Sequence, residues 1–374
     1  MKSCAIVFVL LLLSACKSPS TRDSYVRDDS VTNVSYDVIV VASNLHVPWS
    51  IVFTSPTRIV LTERNGKLRV IENGVLQATP LYQCSDCVEN GEAGLMGMTL
   101  DPAYASNHFI YVAYAYKKAD KQVVKVVRLT DGGNSLSEAT IILDNLPSAG
   151  NHSGCRLKFG PDNKLYVTTG DATEKDLAQD RSTFNGKILR INSDGSIPED
   201  NPFGTAIWSY GHRNPQGIDW YPGTQLLFET EHGPSGFDGP GGGDEVNIIE
   251  KGKNYGWPVV SHRESKEGMV DPLLEYTPAN APAGATFYKS TVMPEFKNNF
   301  FFACLRGEGI MRVVLDANDP KHVLSNSLLK VVNVGRVRDV VEGPDGALYF
   351  CTSNTDGRGN SREGDDKVYK LVKK

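Results

Sequence analysis

The stretch GNHSGCRLKFGPDNKLYVTTGD, residues 150–171, decides the fold. Two short runs in which apolar residues alternate with polar ones flank Gly-Pro-Asp-Asn, residues that favour a tight turn, so the segment reads as a strand, a turn and a second strand. A histidine stands just before the first strand and an aspartate just after the second. The same phrase recurs along the chain as SIVFTSPTRIVLTERNG (50–66), GMTLDPAYASNHFIYVAYAY (97–116), GIDWYPGTQLLFETEHG (217–233), TFYKSTVMPEFKNNFFFACLRG (286–307) and DVVEGPDGALYFCTSN (339–354). Each copy carries a proline in its turn, at Pro56, Pro102, Pro161, Pro222, Pro294 and Pro344, spaced by 46 to 72 residues. Alternation in LRVIENG, KVVRLTD and KILRIN supplies a third strand after several copies, and long amphipathic helices are absent.

Small antiparallel sheets of this kind cannot bury their faces alone, and radial packing satisfies them. Six copies therefore predict an all-β, six-bladed β-propeller with four-stranded antiparallel blades over residues 35–374. The last copy has strands near 338–343, 347–353 and 367–372 and then the chain ends, which leaves it without an outer strand. SYDVIVVA, 35–42, precedes the first copy and has no other sheet to join. It is expected to close the ring by completing the last blade and covering its open edge.

In such a blade the start of the innermost strand and the loop after the second strand lie on the same face. His152 stands nine residues before Pro161 and Arg213 nine before Pro222; Glu92 stands ten before Pro102, and Arg336 and Arg338 eight and six before Pro344. The returning loops carry Asp171, the acidic glycine-rich EHGPSGFDGPGGGDE, and Arg306. These side chains are expected at one mouth of the channel, where Asp171 holds one imidazole nitrogen of His152 and leaves the other free to take a proton. Arg213, Arg306, Arg336 and Arg338, with Asn214 beside them, need an anionic partner to offset their repulsion. Their planar forks suit carboxylate or phosphate, and salt bridges to the acidic loops are the plainer alternative. The acidic loop offers carbonyls and carboxylates to a hard cation such as calcium, without the spacing of an EF-hand.

Composition excludes several classes. A net charge of -5 gives no electrostatic reason for nucleic acid as a partner. Neither GxSxG nor GxGxxG occurs, which argues against serine hydrolysis and nicotinamide chemistry. At the N-terminus a lysine precedes an apolar run from Ala5 to Ala15, too short for a bilayer core that needs about 20 residues. Residues 1–15 read as a signal peptide. Leu13-Ser14-Ala15-Cys16 resembles a bacterial lipobox, so residues 16–34 read as a lipidated cysteine and a tether. The protein is thus expected to be exported, periplasmic or at the cell surface, and to touch the membrane through its N-terminal lipid only. Five of the seven cysteines remain in the folded part, an odd number. Cys84 and Cys87 form a CxxC for which a disulfide is the simplest reading in an exported chain, and Cys155 reads as a small core residue of an inner strand.

From about Leu45 to the C-terminus the motifs GEAGLMGMTLDP, NHSGCRLKFGPDNKLYVTTGD, YGHRNPQGIDW, EHGPSG with GGDEVNIIEKGKNYGWP, APAGATFY and RVRDVVEGPDGALY resemble the soluble quinoprotein glucose and aldose sugar dehydrogenases. The resemblance implies a propeller that binds pyrroloquinoline quinone (PQQ) and calcium. It implies that His152 is the base that removes the C1 hydroxyl proton of an aldose while hydride passes to the quinone, with Asp171 as its supporting carboxylate. Arg213, Asn214, Arg336 and Arg338 match cofactor contacts, as does Arg306, where relatives carry lysine. Carbonyls of Gly233 and Pro234 match calcium ligands, and Glu245 and Tyr255 match a second calcium site. Glu92 stands where sugar-oxidising relatives have glutamine, and a carboxylate there opposes an anionic quinone unless an arginine or calcium compensates. The partners implied are a sugar and an unidentified electron acceptor. The rival reading is a non-catalytic propeller that binds a glycan or protein through the same mouth; a calcium-dependent hydrolase is a third, but it needs no cluster of arginines.

Overall fold

The computed structural model of the chain describes Met1, residues 34–137 and residues 139–374. The signal segment beyond Met1, Cys16 and all of the tether but Val34 lie outside the described residues. Among the described residues no helix is long and apolar enough to cross a membrane.

The described residues form six antiparallel sheets, each built around one copy of the repeat. In blade 3 the strand order from inside to outside is Leu157–Phe159, Leu165–Thr169, Lys187–Ile191 and Ile207–Tyr210. Blade 4 repeats this with Pro215–Trp220, Leu227–Glu231, Asp244–Ile249 and Leu274–Tyr276, and blade 5 with Pro282–Phe287, Phe300–Cys304, Gly309–Leu315 and Val323–Leu328. Blade 1 starts at Pro48–Ser55 and blade 2 at Leu95–Leu100. Inner strands contact those of neighbouring blades, except that Pro215–Trp220 of blade 4 meets the second strand of blade 3, Leu165–Thr169, and Val337–Glu342 of blade 6 returns to Pro48–Ser55 of blade 1.

The ring closes as the sequence predicts. Tyr36–Ala42 pairs antiparallel with Val368–Lys373 and supplies the outer strand of blade 6, in register from Tyr36 opposite Lys373 to Val40 opposite Tyr369, with a bulge before Ala42 opposite Val368. All six prolines fall between the first and second strands of their blades. The turn aspartates recur in role: Asp162 accepts from the hydroxyl of Tyr166 at 3.1 Å, and Asp345 from that of Tyr349 at 2.9 Å. Each turn thereby fastens to the strand that follows it.

Six hydrophobic clusters fill the spaces between neighbouring blades. Second strands such as Leu165–Thr169 and Phe300–Cys304 are buried along their whole length because a blade packs on each face. Each fully buried Val, Leu, Ile or Phe contributes roughly 1.5–3 kcal/mol, which sets the inner strands firmly and leaves the rim loops free to carry polar groups.

The disulfide expectation fails. Cys84, Cys87, Cys155, Cys304 and Cys351 are all free thiols. Cys84 is a buried member of the cluster between blades 1 and 2, and Cys87, across a tight turn, packs partly buried against the same cluster with its Sγ 3.9 Å from the carbonyl of Arg64. Burial raises both thiols, Cys87 to about 12, so neither forms a thiolate at neutral pH. Cys155 is a buried core residue as expected, although it precedes the inner strand, which begins at Leu157.

Candidate active site

The hairpin of blade 3 sets the geometry. His152 has φ of 55°, a left-handed conformation unusual for a non-glycine residue. Its amide donates to Glu92 Oε2 at 3.0 Å, and its carbonyl accepts from the amide of Ala172 at 3.0 Å. The return strand approaches so closely that a Cβ at Gly170 would lie 2.0 Å from the His152 carbonyl oxygen. Only glycine permits that contact, and it brings the two ends of the hairpin together.

Asp171 Oδ1 lies 2.8 Å from His152 Nδ1, and both side chains are buried. Asp171 Oδ2 accepts from Trp257 Nε1 at 2.8 Å, the Asp171 amide donates to the Arg213 carbonyl, and Asn185 Nδ2 donates to the Asp171 carbonyl. A carboxylate so fixed accepts the Nδ1 hydrogen and leaves the lone pair on Nε2. Nε2 has no hydrogen-bond partner among the described residues, and His152 lines a cavity of about 380 Å³ at the channel mouth.

Glu92, Gly233, Pro234, Arg306 and Arg336 share that cavity. Arg213, Asn214 and Arg338 do not line it; all three are buried, with Arg338 inside the inner strand of blade 6. Internal partners hold most of these arginines, as the plainer alternative anticipated. Arg213 binds Asp238 Oδ2 at 2.8 Å, the His232 carbonyl and Ser235 Oγ. Arg336 binds Asp356 at 2.8 Å and the Leu305 carbonyl. Arg338 Nη1 donates to Gln216 at 2.7 Å, and its Nε is buried without a partner. Arg306 is exposed, and no acceptor holds its guanidinium among the described residues. Asn214 spends its amide inside, accepting from the Gly154 amide at 3.1 Å and reaching Glu92 at 3.4 Å.

Glu92 is compensated. Burial alone would raise its carboxyl, but His232, Arg358 and His152 outweigh that and bring it down to about 2. Arg358, from the loop after the second strand of blade 6, reaches across the mouth to Glu92 Oε1 at 2.5 Å and to Asn151. Burial, reinforced by Arg213, Arg338 and His152 against the pull of Glu92, lowers the neighbouring His232 to about 3, so its imidazole is neutral, and its Nε2 is buried without a partner.

Sequence reasoning missed Arg358, Trp257, His232 and Phe237. The rule that loops after second strands return to the mouth covers Arg358 and His232. No local signal marks Trp257, which reaches Asp171 from 86 residues away.

Gly233, Pro234, Glu245 and Tyr255 fall together around a void of about 10 Å³ beside the cavity, with Arg213 and Glu231. A Cβ on Gly233 would lie 2.2 Å from the Gly242 oxygen, so only glycine fits this cradle. Behind it, ligand atoms of His212, Glu229 and Glu231 lie within 4.8 Å of one another. Burial and the charge of Glu231 push Glu229 and Glu245 well above the usual carboxylate range, and Glu229 Oε1 has no partner. Oxygen donors so crowded have the chemistry that a hard cation relieves. The orphaned Nε2 of His232, which lines the cavity, likewise suits a polar group of a ligand in the mouth.

A sequence-family model described as Glucose / Sorbosone dehydrogenase matches residues 45–361. The chain is 32% identical to an aldose sugar dehydrogenase of Escherichia coli, over 86% of this chain and 91% of that protein. Among solved structures, a putative oxidoreductase (glucose dehydrogenase) from Thermus thermophilus superposes with a TM-score of 0.83 at 38% identity, covering 90% of this chain and 100% of that one. The PQQ-bound form of an aldose sugar dehydrogenase from Streptomyces coelicolor superposes with a TM-score of 0.79 at 31% identity, covering 91% and 99%.

Proposed function

The chain belongs to the glucose/sorbosone dehydrogenase family, and from that premise we propose that it is a PQQ-dependent aldose sugar dehydrogenase that oxidises the C1 hydroxyl to the lactone. The observation that carries this reading is the buried His152–Asp171 pair with Nε2 open to the cavity. When bound, PQQ supplies the hydride acceptor and calcium polarises it. His152 Nε2 takes the C1 hydroxyl proton, and Asp171 stabilises the imidazolium that results and keeps the ring oriented, itself steadied by Trp257.

Arg306 and Arg336 face the cavity and would hold the cofactor's carboxylates, backed by Arg213, Asn214 and Arg338. The Gly233 and Pro234 carbonyls would hold one calcium, and Glu245 and Tyr255, around the same small void, a second. Glu92 is compatible with an anionic quinone because Arg358 neutralises it. In the same reading the leader exports the chain, lipid on Cys16 anchors it at the periplasmic or outer surface, and an unidentified acceptor removes the electrons.

The test mixes purified protein with PQQ and calcium and follows reduction of an artificial electron acceptor across a panel of aldoses. The reading requires PQQ-dependent turnover that His152→Gln abolishes while PQQ affinity, read by fluorescence, stays within about threefold. Failure of wild-type protein to bind PQQ would sink it.

A further inference from the structure

The loop between the second and third strands of blade 4 folds back over the mouth in a definite shape. Ser235 N donates to Asp238 Oδ1 at 2.9 Å, Gly236 N to the Gly239 carbonyl at 3.0 Å, and Gly242 N to the Pro234 carbonyl at 3.2 Å. Arg213 clamps it from below through Asp238 and Ser235. The tip of this turn is Phe237, whose ring lies 5.9 Å from that of His152 at 22°, close to parallel.

Phe237 also lines the cavity, is 65% exposed and belongs to none of the six core clusters. A lone exposed aromatic is ordinary on a surface. This one is held in place, by a buried arginine and a pinned turn, near-parallel to a face of the His152 imidazole and in the same cavity. Its exposed face offers an apolar platform to whatever presents a hydroxyl to Nε2, and the apolar face of a pyranose ring, made of C–H groups, is the part of a sugar that gains by stacking there.

Resting on the dehydrogenase reading, we propose that Phe237 is a specificity-determining residue that stacks against the ring of the aldose and selects cyclic sugars over small acyclic alcohols. The contact is made in both ground and transition states, so its loss appears in KM more than in kcat. Cyclic sugars lose that contact and acyclic ones do not.

Two measurements test this, made on wild type, Phe237→Ala and Phe237→Trp. In the first, PQQ- and calcium-loaded protein is assayed with glucose and with glyceraldehyde. Phe237→Ala is expected to raise KM for glucose about tenfold or more while moving kcat less than threefold, to leave glyceraldehyde kinetics within about twofold, and to be rescued by Phe237→Trp. In the second, PQQ-free protein is titrated with glucose by ligand-observed NMR, with saturation of aromatic protons. Transfer to the sugar C–H protons is expected in wild type and in Phe237→Trp and is expected to be lost in Phe237→Ala. Equal glucose KM in all three proteins, or equal transfer in all three, overturns the proposal. Absence of PQQ binding overturns the dehydrogenase reading, and the NMR titration still decides Phe237.

Discussion

The side chain that settles what the mouth can do is Asp171, because it fixes which imidazole nitrogen of His152 is basic. Its Oδ1 meets His152 Nδ1 and accepts from the Thr173 amide, and its Oδ2 accepts from Trp257 Nε1, all at 2.8 Å. Asp171→Asn offers an amide that can donate as well as accept, and the ring loses its fixed tautomer. This substitution is expected to lower kcat by about 10²–10⁴-fold with PQQ affinity little changed, whereas Trp257→Phe, which removes only the steadying bond, costs about tenfold. Single-turnover reduction of bound cofactor separates these effects from binding. Glu92 shows the opposite lesson: the sequence flags a carboxylate that opposes an anionic cofactor, and the fold answers it with Arg358, 266 residues away.

At the scale of elements, the strand Tyr36–Ala42 has the largest structural task relative to its length. It caps the edge of blade 6 and also ties blade 6 to blade 5: Tyr36 stacks on Phe296 at 5.1 Å and its hydroxyl donates to Glu295 at 2.5 Å. Tyr36→Ala removes a half-buried ring and a charge-assisted hydrogen bond, and it is expected to destabilise the protein by about 2 kcal/mol, measured as a fall in the urea midpoint. Strand order, turn prolines and this closure are legible in the sequence because period-two alternation and turn residues act over a few positions. The free thiols of Cys84 and Cys87 are not, since spacing alone does not say whether the two sulfurs meet, and here the Cys87 thiol turns to the Arg64 carbonyl.

For the molecule as a whole, the ring gathers buried charge at one end, and that makes stability depend on acid. His232 has its pKa lowered to about 3 from 6.5, so between those values the unfolded chain binds a proton that the folded one does not. Glu92, lowered to about 2 from 4.5, acts in the same sense at lower pH. Stability contributed by both is complete above pH 6.5 and is lost as pH falls, first through the His232 window and then through that of Glu92. The raised carboxyls of Glu229 and Glu245 act in the opposite sense, so the His232 contribution is read by difference: the loss of thermal midpoint from pH 6.5 to 4 is expected to be smaller in His232→Gln than in wild type. An unchanged profile in that variant would remove His232 as the cause.

The sequence by itself determined six repeats, their strands and the closure of the ring, because backbone propensity and alternation are local and each copy repeats them. Only the tertiary structure decided what the rim residues touch: that Arg213 and Arg336 are held by Asp238 and Asp356, that Arg358 spans the mouth, and that Phe237 lies beside His152. Such contacts join loops from different blades. Their distances depend on how the sheets pack around the axis, and no stretch of chain carries that information alone.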